Sequence, residues 1–74
     1  MKKVVIAFAT TSDAMAMEFF CKKNNVSGRL IAIPKELSAG CGLAWQFDWQ
    51  SEEEALDFLA TNGLAWEKMK LLDF

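Results

Sequence analysis

The run Val4-Val5-Ile6-Ala7-Phe8-Ala9 constrains the chain more than any other segment. It is apolar at every position and rich in β-branched residues. Such a run suits a central strand covered on one face and partly covered on the other. A chain of 74 residues must then supply neighbours for that strand and cover for its apolar faces from a single small domain. A domain of this size buries roughly 60% of the surface its unfolded chain exposes, so it needs an apolar-rich core. The composition provides one: 53% hydrophobic residues, with three Trp and six Phe. The preceding Met1-Lys2-Lys3 imitates the start of a secretory signal. However, the apolar run is shorter than an h-region and ends at Thr10-Thr11-Ser12-Asp13, so a buried first strand is the better reading.

The polar step after the strand predicts a helix. Thr11 or Ser12 can cap it, Asp13 sits favourably in its first turn, and the helix runs to about Asn24. Ala16, Met17, Phe20, Cys21 and Asn24 share one side of its wheel, and Met15 and Phe19 fall off that stripe as a hint of a second contact surface. Asn24-Asn25 and Ser27-Gly28 turn the chain into a second strand, Arg29 to Ile33, which Pro34 stops. Pro34 to Gly42 is loop. Leu43, Trp45, Phe47 and Trp49 then alternate with Ala44, Gln46 and Asp48, the pattern of a half-buried third strand. Ser51-Glu52-Glu53-Glu54 fits a capping box ahead of the stripe Ala55, Leu56, Phe58, Leu59, and Asn62-Gly63 ends that helix. The three glutamates read as a solvated helix start. Trp66 to Phe74 supplies the last strand.

The order strand, helix, strand, strand, helix, strand over residues 1–74 predicts a single α+β domain. A right-handed first crossover makes the ferredoxin-like βαββαβ sandwich economical: a four-stranded antiparallel sheet with two helices on one face.

Chemistry is narrowly bounded. There is no histidine, which removes Ser-His-Asp and Cys-His arrangements and imidazole ligands. Eight basic against ten acidic residues, with a pI near 4.9, disfavour a nucleic-acid partner. No run approaches the ~20 apolar residues of a membrane helix. Two cysteines are too few for a disulfide scaffold or a zinc site within one chain, so no cofactor is expected and a reducing cytoplasm is the expected compartment. Thr10-Thr11-Ser12-Asp13 lacks the C-x-x-C of a metal chaperone, and Gly42 to Phe47 lacks the charge and pattern of an RNA-binding strand.

Cys41 is the candidate thiol. In the expected topology, the Pro34 to Gly42 loop lies at the same sheet edge as the start of the first helix. Cys41 then comes close to Thr10, Thr11 and Ser12, whose amides and helix dipole would lower its pKa and favour the thiolate. Gly40 and Gly42 leave the backbone open to an anion or a second sulfur. Lys35 is a further candidate source of positive charge. Cys21 reads as core: about three turns into its helix, it lies roughly 13 to 15 Å from that edge. Disulfide geometry needs Cα atoms within about 7 Å, so a Cys21–Cys41 bond is not expected.

The segments Phe8 to Glu18 and Ile33 to Ala44 are the most distinctive: a Ser/Thr-rich step, an Ala-Met-Glu-like helix segment (Ala16-Met17-Glu18), the pair Lys35-Glu36, then Ser38-x-x-Cys41-Gly42-Leu43-Ala44. In these features the chain resembles a family of small bacterial domains of unknown function described as selenium/sulfur carrier protein-like. Trp45 and Gln46 stand where that family usually has aliphatic and basic residues. The resemblance implies a carrier in which Cys41 accepts sulfur or selenium from a donor protein and passes it to an acceptor protein. It would act as a stoichiometric carrier rather than a turnover enzyme, with Gly40, Gly42, Thr10, Thr11, Ser12, Ser38 and Lys35 around the thiol. The alternative is a non-catalytic interaction module that docks or homodimerises through an apolar patch on the sheet face left open by the helices.

Overall fold

The computed structural model describes residues 1–38 and 40–74; Ala39, one of the two open positions of the Ser-x-x-Cys signature, lies outside the described residues. The elements are β1 (Lys2–Ala7), α1 (Thr11–Lys23), β2 (Gly28–Ala32), β3 (Leu43–Phe47), α2 (Glu52–Asn62) and β4 (Lys68–Asp73). The sheet order is β2-β3-β1-β4, with every neighbouring pair antiparallel, so β1 and β2 run parallel with β3 between them. This is the α+β, ferredoxin-like arrangement that the element order predicts.

The apolar run fills the interior position. Val4, Val5, Ile6 and Ala7 are fully buried, as is Phe8 beyond the strand end. Period-two alternation divides them between two cores. Val4, Ile6 and Phe8 meet Trp45 and Phe47 of β3, Ala14, Met17 and Cys21 of α1, and Ala55 and Leu59 of α2. Val5 and Ala7 meet Ala44, Leu72 and Leu37 on the opposite side of the sheet. Both helices therefore cover one face, and Leu37 of the β2–β3 loop covers the centre of the other.

Local chemistry sets the helix ends. Thr10 caps α1, its side chain accepting from Asp13 N–H at 3.1 Å, one residue ahead of the expected Thr11 or Ser12. Asn24 closes α1 by bonding its own amide and side chain to the Phe20 carbonyl. Ser51 caps α2 through Glu54 N–H, and Gly63, at φ 62°, takes the left-handed turn that ends it.

Two expectations change. Ala16 is exposed, and the buried stripe of α1 is Ala14, Met17 and Cys21. The last strand begins at Lys68, because Leu64 to Glu67 forms the connection, with Glu67 N–H bonding the Ala7 carbonyl at 2.8 Å. The large apolar side chains also divide. Trp45 is buried, Trp49 and Trp66 pack against the helix-side core, and Met15 and Phe19 remain on the surface at 59% and 69% exposure.

Gly28 is fixed by close approach. A Cβ there would stand 2.6 Å from the Gln46 carbonyl oxygen and 2.8 Å from the Trp45 ring, and neither backbone nor a fully buried indole can yield cheaply. Overpacking of this kind costs about 1–3 kcal/mol. Gly28→Ala should lower the urea unfolding free energy by that amount with an unchanged m-value. A loss under about 0.5 kcal/mol, the size of an ordinary surface substitution, would contradict the packing.

Candidate functional site

The β2–β3 loop is held on both sides of the sheet. Leu37 N–H bonds the Pro34 carbonyl at 3.0 Å, making a turn with Lys35 and Glu36 exposed at its tip. That turn seats Leu37, only 7% exposed, on Val5, Ala7, Ala44 and Leu72. At the other end of the loop, Cys41 packs against the helix-side core, and Ile33 N–H bonds the Gly42 carbonyl at 3.0 Å to close the loop. The loop thus straddles the end of the sheet, with one apolar anchor on each face.

Between those anchors, the loop abuts the β1–α1 connection. A Cβ on Gly40 would stand 2.8 Å from the Ala9 carbonyl oxygen, so glycine permits the contact. The β1–β3 register pairs Val5 with Gln46, Ile6 with Trp45 and Ala7 with Ala44. Thr10, Thr11 and Ser12 are all exposed at the start of α1. Asp13 N–H is taken by the cap, while the Thr11 and Ser12 N–H groups belong to the helix turn that has no acceptor of its own.

The sulfur of Cys41 is half-buried and free of any disulfide. Leu43 N–H donates to its Sγ at 3.3 Å, and Sγ lies 3.5 Å from the Leu43 carbonyl. One residue thus offers a donor suited to a thiolate and an acceptor suited to a thiol. Gly42, at φ 74°, is the turn that folds Leu43 back onto the sulfur; a Cβ there would meet nothing within 4 Å, so its space is open. Among the described residues, the sulfur's hydrogen bonds go to Leu43, a partner that the sequence pattern gave no reason to single out. Ser38 and Lys35 are exposed, and Lys35 sits in the turn that reaches toward the Leu37 side of the sheet. No group of three or more metal-ligating side chains occurs among the described residues.

The chain belongs to the family described as "Putative Se/S carrier protein-like". That family's model matches residues 3–70, a span that takes in the sheet, both helices and the Cys41 loop. No curated protein and no solved structure matches the chain. Among the described residues, no helix is long and apolar enough to cross a membrane.

Within this family member, Cys21 contrasts with Cys41. It is fully buried, its Sγ 3.7 Å from the Met17 sulfur, and burial pushes its thiol up to about 11. A folded-state value above the ordinary 9.0 means that the native state holds the proton more tightly than the unfolded chain. The associated stability is complete below pH 9 and is lost as pH rises through 11. Its full size is roughly 2–3 kcal/mol. The wild type should therefore lose about that much stability, relative to Cys21→Ala, between pH 8 and 11 in paired denaturation series. Parallel pH profiles for the two proteins would contradict the assignment.

Proposed function

We propose that this Se/S carrier protein-like domain carries sulfur or selenium on Cys41. The observation that supports the reading best is the setting of the sulfur: half-buried and joined to Leu43 N–H, on a loop whose Gly40 packs against the Ala9 carbonyl just ahead of α1. In the transfer, the Cys41 thiolate attacks the terminal sulfur of a donor persulfide. A new S–S bond forms at Cys41, the donor's S–S bond breaks, and the donor leaves as a thiolate. The mirror reaction hands the terminal atom to an acceptor thiolate. No net oxidation occurs in either step, and a terminal selenium follows the same path.

The chain's own groups have defined parts in this scheme. Leu43 N–H holds the attacking sulfur, and the N–H groups of Thr11 and Ser12 at the helix start receive the negative charge of the terminal atom. Gly42 keeps the approach clear of a side chain, while Gly40 lets the loop close on the Ala9 carbonyl. Thr10 fixes the helix end through its cap. Ser38 and Lys35, on the exposed part of the loop, face the donor or acceptor protein. Transfer needs no proton shuttle by histidine, which suits a chain that has none.

Incubation with a persulfidated donor, followed by intact mass measurement, tests the reading. One sulfur mass, or one selenium mass from a selenium-loaded donor, should add to the native protein and localise to Cys41. Cys41→Ser should gain nothing, and Cys21→Ala should load normally. Equal gain in Cys41→Ser, or no gain in the native protein, would overturn the carrier role.

A further inference from the structure

The sheet face opposite the helices carries a site of its own. Strand alternation puts Lys3, Arg29, Lys68 and Lys70 there, half of the eight basic residues of a chain whose net charge is -2. Six of the ten acids, Asp13, Glu18, Glu52, Glu53, Glu54 and Asp57, lie on the two helices. The charge is therefore segregated by layer. On this face Leu37 covers Val5, Ala7, Ala44 and Leu72, and Ile31 and Ile33 pack partly buried beside them.

At the end of this face remote from Cys41 is a cleft of about 360 Å3 lined by Lys3, Gly28, Arg29, Gln46 and Asp48. Gln46 is only 4% exposed, yet its side-chain amide bonds no protein group among the described residues. Among the described residues the buried side-chain polar atom without a partner is Trp45 Nε1, so the Gln46 amide, which bonds no protein group, is open to the cleft. Arg29 sits directly across the strand pair from Gln46 and makes no ion pair among the described residues. Lys3 is steadied by Asp48 at 3.1 Å.

A guanidinium fork and an amide NH2, side by side beside an ammonium, are matched to a carboxylate, which accepts two parallel N–H bonds from arginine. We propose that this face docks an acidic segment of a partner protein. One Asp or Glu carboxylate enters the cleft between Arg29 and Gln46, and Lys68 and Lys70 meet the acids beside it. A nucleic acid fits less well. All three tryptophans pack on the helix side, so the face offers no indole for bases to stack on. The proposal stands on this face alone and does not use Cys41.

Titration of the full chain, followed through the Gln46 side-chain amide and the Arg29 Nε–H in nitrogen-15 spectra, tests it. The probes are a capped Glu-Ser repeat peptide, the same peptide with Gln for Glu, acetate and oligouridylate. The Glu peptide should shift both signals saturably, and the Gln peptide should not. Its affinity should fall roughly fivefold or more in Arg29→Gln, as expected for loss of an exposed Arg–carboxylate pair, and again when salt rises from about 50 to 300 mM. Equal response to the Gln peptide, no change in Arg29→Gln, acetate binding as tightly as the peptide, or tighter binding of oligouridylate would each overturn it.

Discussion

A strand that is apolar on both faces must be covered on both, and this requirement organises the molecule. Two helices cover Val4, Ile6 and Phe8. Among the described residues no third helix covers Val5 and Ala7, and Leu37 takes that place from the β2–β3 connection. Burying a leucine contributes about 1.5–3 kcal/mol, a large share of the stability available to a domain this small. The loop is consequently a structural element of the second core as well as a connection between strands.

The same anchoring places the thiol. Leu37 is seated on one face and Cys41 packs against the other, and Gly40 lies against the Ala9 carbonyl just ahead of the cap of α1. The left-handed turn at Gly42 then directs Leu43 N–H to the sulfur. A loop tethered by one side only would leave that geometry to the flexibility of its glycines. Here the thiol's position follows from apolar burial, and its hydrogen bonds follow from its own strand rather than from another ionisable residue.

Much of this was legible in the sequence because it depends on short-range patterns. The continuous run Val4 to Ala9, the alternation from Leu43 to Trp49 and the Ser51 capping box each specify their element with nearby residues alone, and their order specifies the topology. The assignment of Cys21 to the core followed from helical spacing. Other features needed three-dimensional packing. Leu37 looks like any loop leucine until it is seen on Val5 and Ala7. Ala16 and Ala14 are equivalent by type, and only the pitch of α1 over the sheet buries one of them. The cleft between Arg29 and Gln46 arises from cross-strand register, which no local pattern reports. Leu43 as the partner of the thiol depends on the backbone turn at Gly42, a detail of dihedral angle rather than of residue type.

In the proposed carrier role, the fold, rather than the loop sequence alone, would prepare Cys41 to accept sulfur. The most direct measurement compares the rate of sulfur uptake from one persulfide donor by the native protein and by a capped peptide of residues 34–44. The account predicts that the protein reacts at least about tenfold faster, a difference of about 1.4 kcal/mol in barrier. Equal rates, or a faster peptide, would contradict it.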